Sequence, residues 1–96
     1  MAIAVRELHP VRGREHRLDD GVVIGRAADC EVALDDPLVS RRHARVRITE
    51  LGAAIEDLDS SNGVYVNGVA KQGVTPLHPG DVLQLGGTWW RVEEIS

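Results

Sequence analysis

No stretch of this chain carries apolar residues at the three-to-four spacing of a helix. Its apolar residues fall in short runs or strict alternations, cut at short intervals by Gly, Asp, Asn, Ser and Pro. That pattern belongs to many short strands joined by tight turns. The clearest alternation runs from Ala44 to Ile48. Ala44, Val46 and Ile48 face one way and His43, Arg45 and Arg47 the other. Asn67-Gly68 between Val64–Val66 and Val69–Lys71 is the strongest short hairpin signal a sequence can offer, and Gly86-Gly87 between Val82–Leu85 and Thr88–Glu93 is a second candidate. Further runs at Ile3–Leu8, Arg14–Leu18 (an edge strand), Gly21–Ile24, Glu31–Leu34 and Ala53–Leu58 bring the count to about nine to eleven strands. Arg26–Cys30, Asp35–Arg42, Asp59–Gly63 and Gln72–Asp81 read as loops.

Composition agrees and sets limits. With 96 residues the chain is one domain, residues 1–96. It contains no Phe, one Tyr and two Trp, so core volume comes from Val, Ile, Leu and Ala, a supply rich in β-branched residues that suits strands. Trp89 and Trp90 are neighbours in one run, so one faces in and the other out. No apolar run approaches the ~20 residues of a membrane-spanning helix. A single cysteine, Cys30, excludes an internal disulfide framework and suits a reducing compartment such as the cytoplasm.

The net charge is -4, which speaks against nucleic acid as the main ligand. Arg41, Arg42, Arg45 and Arg47 form a local basic stripe, but no aromatic residues are interleaved with it for base stacking. The four histidines lack metal-ligand spacing, so neither a metal nor a cofactor is expected. Pairing Cys30 with His43 as nucleophile and base is the one enzymatic alternative. It is a poor one, because Asp29 and Glu31 flank the thiol and discourage a thiolate.

Three polar clusters precede or follow strands: Gly25-Arg26, Ser40-Arg41-Arg42-His43 and Ser60-Ser61-Asn62-Gly63. Each alone reads as an ordinary turn. Together they hold what a phosphate dianion requires: guanidinium charge from Arg26, Arg41 and Arg42, and hydroxyls from Ser40 and Ser61. Asn62 adds a side chain that both donates and accepts, suited to gripping a peptide backbone. Spacing alone does not say that the three loops share one end.

These clusters, the second running on to Ala44 and the third beginning at Asp57-Leu58-Asp59, followed by Val66-Asn67-Gly68 and the segment Leu77–Gly86, match the motif order of the forkhead-associated domain, and the resemblance covers residues 2–94. It implies an all-β, eleven-stranded sandwich of two antiparallel or mixed sheets with ligand loops at one end. It also implies a non-catalytic module that binds a threonine-phosphorylated partner, and hence a Ser/Thr protein kinase upstream. In that family's pattern Arg26 and Ser40 contact the phosphate, Ser61 holds the phosphothreonine side of the ligand, and Asn62 holds the peptide backbone. Arg41 or Arg42 supplies further charge. Gly25, His43 and Gly63 support the site, with His43 holding the Ser40 loop, and Asn67 braces a neighbouring turn. Val64 stands where the family often has Thr, which implies a change of packing. The alternative that survives is a scaffold of the same fold that binds its partner without phosphate.

Overall fold

The alternations of the sequence become strands throughout. The computed structural model describes all 96 residues. Its strands, in chain order, are β1 (Ala2–His9), β2 (Glu15–Asp19), β3 (Val23–Gly25), β4 (Val32–Ala33), β5 (Ala44–Thr49), β6 (Gly52–Asp57), β7 (Val64–Val66), β8 (Val69–Lys71), β9 (Val74–Leu77), β10 (Val82–Leu85) and β11 (Thr88–Ile95). They make a six-stranded sheet in the order β2-β1-β11-β10-β7-β8 and a five-stranded sheet in the order β4-β3-β5-β6-β9. Every pairing is antiparallel except the short parallel contact of β3 with β4. The fold is therefore the two-sheet sandwich that the sequence implies. No helix is long and apolar enough to cross a membrane.

The core lies between the two inner faces. Ile3, Val5, Leu83, Leu85, Trp90 and Val92 come from one sheet, and Ile24, Val46 and Ile55 from the other. Trp90 supplies the only aromatic ring in this cluster, and aliphatic side chains fill the rest. Each such side chain contributes roughly 1.5–3 kcal/mol of burial energy. The two tryptophans divide as their adjacency on a strand requires: Trp90 is 1% exposed and Trp89 42%. On the outer face of β5, Arg45 and Arg47 flank Glu56 at 3.8 and 3.7 Å. The Arg45–Arg47 half of the basic stripe is thus a solvated strand face paired to an acid.

The Asn67-Gly68 turn has φ of 52° and 80°, so both central residues are left-handed, as a two-residue hairpin joining Val66 to Val69 requires. The ends of the chain meet: the Ala2 N–H donates to the Ser96 carbonyl and the Ser96 N–H to that of Ala2.

One expectation is corrected. The segment Gln72–Asp81, read as a loop, contains β9, whose Thr75 and Pro76 pair with Ile55 and Ala54. Pro76 speaks against a strand only in a sheet interior. An edge strand has a side without a ladder partner, where a missing N–H is tolerated. At β4 the difference runs the other way: the expected run Glu31–Leu34 is paired only at Val32 and Ala33.

Candidate functional site

The site begins where β3 ends. Gly25 lies so close to the loop before β5 that a Cβ placed on it would stand 2.2 Å from the Arg41 carbonyl oxygen. That approach joins the two loops through backbone bonds. The Arg26 N–H donates to the Ser40 carbonyl at 2.9 Å and the Ala27 N–H to the Arg41 carbonyl at 3.0 Å. The Arg26 Nε donates to the Val39 carbonyl at 3.1 Å. The buried Cys30 thiol donates to the Arg41 carbonyl at 3.3 Å.

The loop between β6 and β7 is held from within. Asp57 Oδ1 accepts from the Ser60 N–H at 3.0 Å and from the Ser60 hydroxyl at 2.7 Å, and Ser60 Oγ accepts from the Gly63 N–H at 3.0 Å. This turn carries Ser61 and Asn62 to the Ser40 loop. The Ser61 N–H donates to Ser40 Oγ at 2.9 Å, and Asn62 Nδ2 donates to the Leu38 carbonyl at 2.7 Å.

His43 ties the same two loops from beneath and is fully buried. Its Nδ1 accepts from the Ser40 N–H at 3.0 Å, and its Nε2 lies 2.7 Å from the Gly63 carbonyl. A carbonyl only accepts, so Nε2 carries the proton and the ring is the neutral Nε2–H tautomer. Both ring nitrogens are engaged, and the Cys30 thiol is bonded elsewhere, so the two do not pair. We expect His43→Ala to cost about 2–4 kcal/mol. It strands the Ser40 N–H and the Gly63 carbonyl and opens a cavity beneath the loops. Urea unfolding with an unchanged m-value measures this.

Several groups remain free to meet a ligand. Ser40 Oγ accepts from Ser61, which leaves its O–H to donate outward. Asn62 uses its amide nitrogen on Leu38 and keeps its side-chain oxygen. Arg26 uses Nε on Val39 and keeps both terminal nitrogens. The two arginines after Ser40 differ. Arg42 forms an ion pair with Asp29 at 2.9 Å, whereas Arg41 is exposed and its side chain has no such partner. Behind them, the Val23 N–H and then the Glu31 N–H hold the Glu31 carboxyl below the usual carboxylate range, and Arg42 adds to this.

Arg26, Ser40, Arg41, Arg42, Ser61 and Asn62 therefore gather on loops at one end of the sandwich, with Gly25, His43 and Gly63 beneath them. Asn67 does not join them. It follows β7 where Gly63 precedes it, and it clamps the turn after β7 to the start of β10. Its Nδ2 donates to Asp81 and its Oδ1 accepts from the Val82 N–H, each at 2.9 Å.

The roles of three contributors escaped the sequence reading, although Asp57 stands at the head of a matched motif. Asp57 left a signal, the acid–hydroxyl spacing Asp57…Ser60 typical of a side-chain-closed turn. Leu38 left none, because its part is played by a backbone carbonyl. Asp36 accepts from the Leu38 N–H, the Gly87 N–H and the Thr88 hydroxyl, and so fastens the Ser40 loop to the turn between β10 and β11.

Comparison with known proteins gives a consistent result. A family model described as the FHA domain matches residues 22–86. The FHA domain-containing protein FhaA of Mycobacterium tuberculosis is 41% identical over 75 residues, 77% of this chain and 14% of that protein. The oxoglutarate dehydrogenase inhibitor of Corynebacterium efficiens is 37% identical over 86 residues, 88% of this chain and 60% of its own length. The chain thus spans less than two thirds of either relative. Among solved structures, one from a study of phosphothreonine-dependent FHA domain interactions superposes with a TM-score of 0.86 at 34% identity, covering 98% of this chain and 97% of that one.

Proposed function

The chain belongs to the forkhead-associated (FHA) domain family, and from that membership we propose that it is a non-catalytic module recognising phosphothreonine in a partner protein. The observation that carries this reading is the bond from the Ser61 N–H to Ser40 Oγ, which joins two loops and leaves the Ser40 O–H free to donate to a ligand. Around it, the Arg26 guanidinium and the Ser40 hydroxyl take the phosphate, Ser61 holds the phosphothreonine side, and Asn62 holds the adjacent peptide backbone through its free oxygen. The second charge comes from Arg41. Its side chain is unpaired, whereas Arg42 would first have to leave Asp29. Gly25, His43 and Gly63 hold the loops in register.

The whole of residues 1–96 acts as one such domain. The family model stops short of β1 and β11, yet these are adjacent central strands of the six-stranded sheet. A partner phosphorylated by a Ser/Thr protein kinase, met in the cytoplasm where a buried free thiol such as Cys30 stays reduced, completes the reading.

Calorimetric titration with one peptide in phosphothreonine, phosphoserine and unmodified threonine forms tests it. We expect a Kd near micromolar for phosphothreonine, about -8 kcal/mol. Phosphoserine should bind more weakly by an amount set by one methyl, on the order of 1–3 kcal/mol, and unmodified threonine should show no detectable binding. Equal binding of all three would replace this reading with a phosphate-independent scaffold.

A further inference from the structure

Arg26 and Asn62 come from different loops, yet both are aimed by carbonyls of the loop between β4 and β5. Asn62 Nδ2 donates to the Leu38 carbonyl at 2.7 Å, and Arg26 Nε to the next one, that of Val39, at 3.1 Å. A trans peptide points its C=O and its N–H in opposite directions, so whatever holds the N–H aims the carbonyl. The Val39 carbonyl shares its peptide with the Ser40 N–H, which His43 Nδ1 holds. The Leu38 carbonyl shares its peptide with the Val39 N–H, which donates to the Asp36 carbonyl at 3.0 Å. The acceptors of Arg26 and Asn62 therefore have separate supports, His43 for one and Asp36 for the other.

Asp36 supplies more than that carbonyl. It is half-buried and bonded through every polar group it has. Its N–H donates to the Leu34 carbonyl at 2.9 Å. Its Oδ1 takes the Leu38 N–H at 2.9 Å and so closes the turn that ends at Leu38. Its Oδ2 takes the Gly87 N–H at 2.9 Å and the Thr88 hydroxyl at 3.0 Å, which ties the turn to the six-stranded sheet. Leu38 itself rests against that sheet, where a Cβ on Gly86 would stand 2.9 Å from its carbonyl carbon.

We propose that Asp36 is a positioning residue for ligand recognition, and that it acts on Asn62 and not on Arg26. The proposal rests on the phosphothreonine reading above, in which the Asn62 oxygen accepts from the peptide backbone. An amide side chain has an accepting and a donating edge of nearly the same shape. The bond from Nδ2 to the Leu38 carbonyl is what turns the oxygen outward. Without that anchor Asn62 is free to flip, and it then sets its own N–H against the ligand's N–H, where no bond forms. The Asp36 carboxylate keeps the anchor still by fixing Leu38 from its N–H side and from the sheet beneath. Asp36→Asn tests this with little change of shape. In either orientation of the new amide its NH2 faces an N–H, that of Leu38 or that of Gly87. Thr88→Val removes the buried hydroxyl alone and is a milder break in the same link.

The test introduces Asp36→Asn and Thr88→Val into the wild type, Asn62→Ala and Arg26→Lys. A phosphothreonine peptide is titrated into each, followed by NMR spectra that also record the Asn62 side-chain amide, with thermal melts alongside. We expect Asp36→Asn to weaken binding about five- to tenfold in the wild type and in Arg26→Lys alike, the worth of one hydrogen bond. In Asn62→Ala, where nothing remains to be positioned, the loss should fall below about twofold. Thr88→Val should repeat the pattern with a loss of about threefold in the wild type, and it decides alone if Asp36→Asn does not fold. The Asn62 amide protons should stand apart from the free-amide position in the wild type and move toward it in both variants. A general loosening of the loop would instead cost as much in Asn62→Ala as in the wild type. That result, an unmoved Asn62 amide, or wild-type affinity in both variants would overturn the role of Asp36 and leave the phosphate site standing. Binding by the wild type that ignores phosphorylation would overturn the reading on which the proposal rests.

Discussion

Replacing Arg26 with alanine is expected to weaken phosphothreonine-peptide binding about 30- to 140-fold while leaving the protein folded. The side chain is exposed, and its one internal bond, from Nε to the Val39 carbonyl, is worth only about 1 kcal/mol to the fold. Its terminal nitrogens are committed to nothing inside the chain, so their interaction energy is available to a ligand. A charge-assisted bond to a phosphate contributes about 2–3 kcal/mol, which sets the size of the loss. Arg26→Lys should recover only part of it. The ammonium restores the charge but neither the planar fork nor the Val39 contact that aims it. Fluorescence anisotropy with a labelled peptide, paired with a thermal melt, measures both effects. A loss of less than about threefold in Arg26→Ala would move the main phosphate contact to Arg41.

The second large effect is on stability. Gly25→Ala is expected to destabilise the protein by about 3 kcal/mol or more and to abolish binding with it. The cause is not a left-handed backbone but a lack of space. The new Cβ would stand 2.2 Å from the Arg41 carbonyl oxygen and 2.8 Å from its carbon, and these are backbone atoms that cannot rotate away. Relief requires β3 to part from the Ser40 loop. That breaks the bonds from Arg26 to Ser40 and from Ala27 to Arg41 and displaces the carbonyl that Cys30 supports. The stability loss shows in urea unfolding. A variant that melts like the wild type and binds like it would refute the close approach of these loops.

Most of the strand pattern was legible because a half-buried strand writes its faces into the sequence with period two. Ala44 and Val46 against Arg45 and Arg47, and Trp90 against Trp89, needed only that rule. The two hairpin turns were legible for a second local reason, the backbone freedom of Asn67-Gly68 and the paired glycines at Gly86-Gly87. Strand β9 was not, because Pro76 obeys a rule that depends on sheet position, and edge or centre is not a local property. The chemical composition of the site was legible in the motifs around Arg26, Ser40 and Asn62. Asp36 was not, because its partners Gly87 and Thr88 lie 51 and 52 residues away.

By itself, then, the sequence determined the strand periodicity, the turn positions, the aliphatic character of the core and the inventory of groups suited to phosphate. All of these follow from interactions between near neighbours in the chain. Tertiary structure alone decided which loops meet, that Arg42 is paired while Arg41 is free, and that the Leu38 carbonyl meets Asn62. Those outcomes depend on contacts between residues distant in the chain. Such contacts exist only once both sheets have formed and closed on the common core, so no local pattern could record them.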